Sequence, residues 1–330
     1  MLAESLELWE RLGSQSGQAQ VTRTGIVNHG APEEQGRVLA ALSAAGIRAE
    51  EVSAAEATER WNGIHFATSA LHMHDGGQLN PDIALPSFQR VAAEHGANIR
   101  HGVRVVELKI LGDNQVRLVL ESAIGTETVE ARTVVLTAGA WTGELLPGSV
   151  RLPAMRVTQE QPLHFARRDE SSVWPGFNHT LVPGSVGFEN VYAPVYGMLT
   201  PGEGIKAGWH GTGALTHPDQ RSFTSEPRQL RALQDYARIW LPGVDADAYT
   251  EISCTYTNTP DEDFILDRMG PIVVGAGFSG HGFKFTPAIG RILADLADGS
   301  GPAPTKFSAG RTITGSVSSP AFTRNPDDTF

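Results

Sequence analysis

Residues 204–210 (GIKAGWH) place two basic side chains on a segment that is typical of a β-strand. Side chains alternate along a strand, so Lys206, Gly208 and His210 would share one face. Lys206 and His210 would then lie ~13 Å apart along the strand. The glycine between them leaves room above the sheet. The pattern therefore favours either a platform for a flat ligand or an ordinary solvated face.

A glycine-rich segment at 275–280 (GAGFSG) follows an apolar strand and precedes a predicted helix. It matches the G-x-G-x-x-G pattern of dinucleotide-binding proteins. A true fingerprint opens a βαβ unit with an acidic residue at the end of its second strand, whereas Asp295 falls inside the predicted helix. Two other interpretations stay open. The segment is a structural turn, or residues 280–284 direct backbone N–H groups from a helix N-terminus at a bound ring or acid.

Cys254 is the single cysteine of the chain and lies in the segment SCTYTNTPDE at 253–262. Strand alternation puts Cys254 and Tyr256 on one face. A lone cysteine is most often a small buried hydrophobe, and a nucleophilic role needs a lowered pKa and a nearby base.

His72 and His74 also share a strand face and could be two metal ligands. The sequence offers no third ligand for them, so no metal site is predicted.

The elements that must position these residues mix strands and helices without strict alternation. This pattern predicts an α/β nucleotide-type domain interleaved with a mainly antiparallel sheet domain. Helices are predicted at 2–12, 36–46, 54–61, between Asn80 and Gly96, at 226–241, and from a cap at Thr286 to about Ala297. Strands are predicted at 19–28, 69–79, 98–100, 103–110, 116–121, 128–137, 249–257, 264–266 and 272–274, and 151–166 and 176–215 are mostly strand-like.

Composition limits the class of protein. The 330 residues are 40% hydrophobic with a formal net charge of −11, which argues against a nucleic-acid partner or an anionic membrane surface. One cysteine excludes an internal disulfide framework. No apolar run approaches the ~20 residues of a spanning helix, and the acidic first residues are unlike a secretory signal. We therefore expect a soluble, cytoplasmic protein.

Taken together, the motifs resemble the monomeric sarcosine oxidase and N-methyltryptophan oxidase family of FAD-dependent amine oxidases, within the D-amino-acid-oxidase-like superfamily. The similarity runs from about residue 2 to about residue 311. The matching strings are LELW at 6–9, TAGAW at 137–141, GIKAGWH at 204–210, CTYTNTPDEDFILD at 254–267 and GAGFSGHGFKF at 275–285.

The resemblance implies a Rossmann-like FAD-binding domain interleaved with an antiparallel-sheet substrate domain. The FAD-binding domain would comprise 1–22, 82–150 and 261–330. The substrate domain would comprise 23–81 and 151–260.

The resemblance also implies roles for individual residues. Cys254 matches the cysteine that carries covalent FAD, and Lys206 matches the lysine that activates oxygen. Lys284 matches the lysine that binds the substrate carboxylate, and His210 a histidine of the same site. Tyr256 and Tyr196 lie near tyrosines of the substrate cavity, with a gap in the alignment at Tyr196. Further residues expected to contact FAD are Val105, Ala138, Gly139, Trp141, Gly280, His281, Gly282, Phe283 and Lys284.

The activity implied is oxidation of the C–N bond of a secondary N-methyl amino acid, with O₂ reduced to H₂O₂. The partners would be a small amino-acid substrate and O₂, with no nucleic acid or membrane, and the protein would be a monomer. Two alternatives are a non-catalytic remnant of the family and a related oxidase of glycated or cyclic amines. The resemblance does not choose the amine.

The family pattern begins with a strand, a G-x-G-x-x-G loop and a helix, followed by active-site arginines, and this chain matches none of that segment. Backbone N–H groups of such a loop neutralise the FAD pyrophosphate. We therefore expect the 330-residue chain to bind FAD weakly or not at all, to show little oxidase activity and to aggregate.

Overall fold

The computed structural model describes residues 1–313, and within them the chain forms a mixed α/β fold. The mixed fold predicted from the sequence is confirmed. None of the helices in this part of the chain is long and apolar enough to cross a membrane. The helices are α1 (Leu2–Ser16), α2 (Pro32–Ala44), α3 (Ala54–Arg60), α4 (Pro81–Glu94), α5 (Thr142–Leu145), α6 (Pro227–Trp240) and α7 (Thr286–Asp298).

The strands form five sheets within the described residues. The strands are β1 (Val21–Thr22), β2 (Ile26–Gly30), β3 (Glu50–Val52), β4 (Ala70–Met73), β5 (Gln78–Leu79), β6 (Val103–Gly112), β7 (Gln115–Ser122), β8 (Gly125–Ala131), β9 (Val134–Leu136), β10 (Arg156–Glu160), β11 (Leu163–Arg167), β12 (Gly176–Thr180), β13 (Val195–Thr200), β14 (Gly204–Trp209), β15 (Ala214–Leu215), β16 (Val244–Glu251), β17 (Cys254–Asn258), β18 (Ile265–Met269) and β19 (Ile272–Ala276).

The largest sheet has eight strands in the order β16-β11-β14-β13-β12-β2-β4-β3. Helix α6 packs on this sheet because its apolar side chains recur at helical spacing, and Leu233, Tyr236 and Trp240 are all buried. The helix begins where the Glu226 side chain accepts hydrogen bonds from two backbone N–H groups. Together the sheet and helix enclose the largest apolar core of the described chain.

A smaller sheet, β18-β19-β9, lies under α7. Strand β9 runs parallel to β19, and all five residues of β19 are buried. Helix α1 packs against α7 and α4. Strands β10, β15 and β17 form a third sheet, and the hairpin strands β6, β7 and β8 a fourth.

Five strand predictions are wrong in detail, four of them because alternation does not reveal where a chain changes sheets. The segments 19–28 and 69–79 each divide between the large sheet, which contains β2 and β4, and the two-stranded sheet of β1 and β5. The segment 128–137 divides into β8, which pairs with β7, and β9, which pairs with β19. The segment 249–257 divides into β16 in the large sheet and β17 beside β10. The exposed residues 98–100 form no strand.

The predicted cap of α7 is wrong. Thr286 does not cap α7, because its hydroxyl donates a hydrogen bond to the Phe283 carbonyl instead of accepting one. The predicted domain boundaries stay a prediction, and their last part, 314–330, lies outside the described residues.

Candidate active site

The side chains of β14 alternate between the two faces of the sheet, as predicted from the sequence. Ile205, Ala207 and Trp209 are buried in the large core, and Lys206 lies half-buried on the opposite face. His210 follows the end of the strand. In the antiparallel neighbour β11, His164 pairs with Lys206.

The space above Gly208 is occupied. Tyr196 of β13 pairs with Gly208 in the antiparallel register. A Cβ atom on Gly208 would lie 3.0 Å from the Tyr196 hydroxyl oxygen and 3.0 Å from Cβ of Pro162. The expectation of open room at this glycine is therefore wrong, because the absent side chain makes way for Tyr196.

Tyr196, Tyr256 and His210 form one polar aromatic cluster. The His210 ring lies 5.6 Å from the Tyr256 ring and 6.3 Å from the Tyr196 ring, edge-on to the latter. The two tyrosine side chains lie close enough for each to shift the pKa of the other. Burial raises the pKa of Tyr256 to about 12 and raises the pKa of Tyr196 well above its ordinary value. Both phenols are therefore neutral near pH 7 and can donate hydrogen bonds to a ligand.

A buried carboxyl group, not identified from the sequence, lies opposite the thiol. Glu160 of β10 pairs with Cys254 of β17 and is 1% exposed. It accepts hydrogen bonds from the Thr158 hydroxyl at 2.6 Å and the Gly213 N–H at 3.1 Å. Burial raises the pKa of Glu160. Only the pairing register of β10 and β17 reveals this neighbour, so no local sequence signal identifies it.

The loop at 277–285 packs directly on Tyr256. Gly277, Ser279 and Gly280 all have left-handed backbone conformations, with φ of 66°, 47° and 77°. A Cβ atom on Gly280 would lie 2.2 Å from the Tyr256 ring, so only glycine fits at this close approach. The Ser279 N–H donates to the Thr257 carbonyl at 3.0 Å, which anchors the loop to β17.

The same loop contains two ionisable side chains, those of His281 and Lys284. The Lys284 ammonium donates to the His281 carbonyl at 2.9 Å, and the His281 ring Nε2 lies 3.1 Å from the Glu262 carbonyl. The Trp9 indole of α1 donates to the Lys284 carbonyl at 3.0 Å. Burial lowers the pKa values of Lys284, His281 and His210. Lys284 and His281 also lie close enough to His210 to lower its pKa electrostatically.

The remaining predicted cofactor residues lie on other elements, of which one contacts the strand of Tyr256. The turn at Gly139–Trp141, which follows β9, contacts β17. The Trp141 indole donates to Asp219 at 2.8 Å, and Arg104 pairs with the same carboxylate at 2.7 Å. The other members are half-buried Val105 on β6, half-buried Ala138, Gly282 behind the Phe278 ring, and Phe283 beside the Trp9 ring.

The structure therefore brings Tyr196, His210, Tyr256 and Gly280 together, with Cys254 on the strand that carries Tyr256. Neutral phenols and an imidazole can bind and orient a polar small molecule. A half-buried free thiol provides a point of covalent attachment. Lys206 lies two residues before Gly208, outside the aromatic contacts of the cluster.

Known proteins share both the sequence pattern and the fold. The family model described as "DAO: FAD dependent oxidoreductase" matches residues 1–296. The chain is 30% identical over 319 residues to the peroxisomal sarcosine oxidase of Mus musculus, covering 90% of this chain and 77% of the mouse protein. It is 29% identical over 307 residues to the N-methyl-L-tryptophan oxidase of Citrobacter koseri, covering 90% of this chain and 78% of that protein.

A solved structure supports the same fold. NikD, described as an unusual amino acid oxidase essential for nikkomycin biosynthesis, superimposes with a TM-score of 0.79 at 24% identity. The alignment covers 95% of this chain and 83% of the NikD chain. The chain spans about three quarters of the length of the two curated relatives. The resemblance found in the sequence is confirmed, and the chain belongs to the family of FAD-dependent oxidoreductases that includes the sarcosine and N-methyl-L-tryptophan oxidases.

Proposed function

We propose that this protein oxidises a secondary N-methyl amino acid, of the sarcosine or N-methyltryptophan type, and reduces O₂ to H₂O₂. The observation that carries the proposal is the cluster of Tyr196, His210 and Tyr256 against the loop at 277–285, with Cys254 on the same strand as Tyr256. Relatives named for both substrates support it.

The residues around the cluster fit a flavin. Cys254 is a free, half-buried thiol, and the turn at Gly139–Trp141 contacts its strand. We infer that Cys254 holds the cofactor covalently. Val105, Ala138, Gly139, Trp141 and the backbone at 280–284 would hold the rest, within a domain comprising 1–22, 82–150 and 261–330. When bound, FAD would accept the two electrons of C–N oxidation and pass them on to O₂.

The substrate side of the site belongs to the domain comprising 23–81 and 151–260. Tyr196 and Tyr256 are neutral donors that would orient the amino acid, and His210 would border the same space. The ammonium of Lys284 would bind the substrate carboxylate as a charge-assisted hydrogen bond. The charge of Lys206 would stabilise negative charge that develops as O₂ is reduced. The oxidised substrate is an imine, which water hydrolyses.

The test uses the purified protein, isolated as a monomer by size exclusion. Sarcosine, N-methyltryptophan, a glycated amine and a cyclic amine are offered in turn, and H₂O₂ is measured. We expect peroxide with at least one N-methyl amino acid and a yellow protein. Peroxide from the glycated or cyclic amine alone would shift the substrate class. A colourless protein that yields no peroxide would refute the proposed activity.

A further inference from the structure

At the edge of the large sheet, three side chains that can bind a metal ion lie close together. Strands β3 and β4 are antiparallel, and Glu50 pairs with His72. The Glu50 Oε2 atom lies 2.9 Å from His74 Nε2 and 3.7 Å from His72 Nδ1. One ligand atom of each residue lies within 4.8 Å of the other two. The pairing register thus supplies a third group that the spacing of the two histidines does not reveal.

His72 has a nitrogen without a partner. The residue is 8% exposed, and its Nδ1 atom is buried and makes no hydrogen bond. The ring is held in place, because a Cβ atom on Gly25 would lie 2.5 Å from His72 Nε2 and the Trp61 ring contacts it edge-on at 4.8 Å. A buried polar atom left unsatisfied is costly. Here that atom faces the Glu50 carboxylate.

We propose that Glu50, His72 and His74 bind one divalent cation of the borderline class, such as Zn²⁺, Co²⁺ or Ni²⁺. Two imidazoles and one carboxylate suit these ions. Tetrahedral Zn²⁺ with bonds of about 2.0 Å needs donor atoms roughly 3.3 Å apart. The 2.9 Å and 3.7 Å separations bracket that value, and water would complete the coordination.

The charges around the cluster permit a cation. Arg60 donates to both Glu50 oxygens at 3.1 Å. Each carboxylate oxygen has a second lone pair, so Oε2 can still coordinate a metal. Arg60 also donates to the Glu56 carboxylate at 2.5 Å. Two carboxylates and one guanidinium leave the site one negative charge before the ion binds.

The ion would stabilise the sheet edge and take no part in the proposed oxidation. Strand β3 is the outermost strand and only three residues long. Strand β4 lies four strands from β14, which separates the ion from Lys206 by ~19 Å. Its binding is therefore testable without any assay of oxidase activity.

The experiment titrates Zn²⁺ into tag-free, metal-stripped protein by calorimetry and records the Co²⁺ absorption spectrum. We expect one ion per chain and a higher Tm with Zn²⁺. His74→Ala and Glu50→Gln change exposed or half-exposed side chains and should each weaken binding by at least roughly tenfold. His101→Ala removes an exposed histidine elsewhere and should bind as the parent does.

For each variant, the Tm with Zn²⁺ is compared with the Tm of the same variant in EDTA. An effect of the substitution on the stability of the metal-free protein therefore cancels. Loss of the Zn²⁺-dependent Tm increase in His74→Ala, with the increase kept in His101→Ala, supports the site. Equal binding by the parent and His74→Ala, or no binding by the parent at millimolar Zn²⁺, would overturn it.

Discussion

Burial favours the uncharged forms of Tyr256 and His210. The pKa of Tyr256 rises to about 12, and burial lowers the pKa of His210. Near pH 7 the cluster therefore offers neutral hydrogen-bond donors and acceptors. In the proposed oxidase, positive charge comes from Lys206 and Lys284, so that hydrogen-bond donation and charge are supplied by different residues.

The proposed covalent link depends on one atom, the sulfur of Cys254. In the purified, flavin-loaded protein, flavin fluorescence should remain with the polypeptide after denaturation in acid. Cys254→Ala removes the thiol and should release all flavin into the supernatant, because no other cysteine exists in the chain. Denaturing gel fluorescence measures the retained fraction. Release of the flavin from the unmutated protein would exclude Cys254 as the attachment site.

Lys206 is proposed to act on oxygen and not on the amine. Lys206→Met keeps the length of the side chain and removes its charge. We expect reoxidation of the reduced enzyme to slow at least tenfold, equivalent to about 1.4 kcal/mol of barrier. Anaerobic reduction by substrate should change little.

Stopped-flow absorbance resolves the two half-reactions. Lys109→Met, on an exposed position of β6, is the matched control for loss of one surface charge. A Lys206→Met protein in which both half-reactions slow equally would contradict the assignment to oxygen.

At the scale of elements, local signals predicted helices better than strand pairing. Asn80 and Pro81 marked the start of α4, and the Asn80 side chain accepts from the Asp82 N–H at 2.9 Å. These signals lie within a few residues of sequence. Sheet partners are set by residues far apart in the chain. Alternation therefore continued across the change of sheet between β16 and β17, and the buried Glu160 beside Cys254 went unrecognised.

The loop that follows β17 is held by a buried ion pair. Arg311 donates from Nε and Nη2 to the two oxygens of Asp261, both at 2.7 Å. It also donates to the Phe264 carbonyl at 3.0 Å. The side chains of Arg311 and Asp261 are only 7% and 17% exposed, and the Arg311 guanidinium lowers the pKa of Asp261 to about 2.

Arg311→Met should therefore destabilise the protein, because it leaves a largely buried carboxylate without its partner. We expect a loss of roughly 3 kcal/mol in the free energy of unfolding, measured by urea denaturation at pH 7. Arg291→Met is the control, since the pairs of Arg291 with Glu4 and Asp295 are exposed and contribute under about 1 kcal/mol. Equal losses in both variants would disprove the special role of Arg311.

At the scale of the whole molecule, the largest core contains two stacked histidines. The rings of His29 and His179 lie 3.8 Å apart and are inclined by 18°. His179 Nδ1 lies 3.0 Å from the Tyr236 hydroxyl of α6, while both ring nitrogens of His29 lack partners. Burial lowers the pKa of His179 to about 3 and lowers that of His29 well below its ordinary value.

These depressed pKa values set the sign of the pH dependence. An unfolded histidine takes up a proton below about pH 6.5, whereas folded His179 stays neutral until about pH 3. The unfolded state therefore binds more protons throughout this window, and stability falls as pH falls. Asp261 acts in a lower window, because its unfolded pKa of 3.8 and folded pKa of about 2 both lie below pH 5.

The free energy of unfolding should accordingly decline between pH 6.5 and pH 5, by up to about 1.4 kcal/mol per pH unit for each of the two histidines. Urea denaturation at both pH values measures the decline. His179→Gln replaces one titrating ring with a neutral amide and should make the decline shallower, by up to about 1.4 kcal/mol per pH unit, even if it lowers stability at pH 7. His101→Gln, at an exposed position, should leave the slope of the unfolding free energy against pH unchanged. Parallel pH profiles for the parent and His179→Gln would show that acid sensitivity arises elsewhere than in the histidine stack.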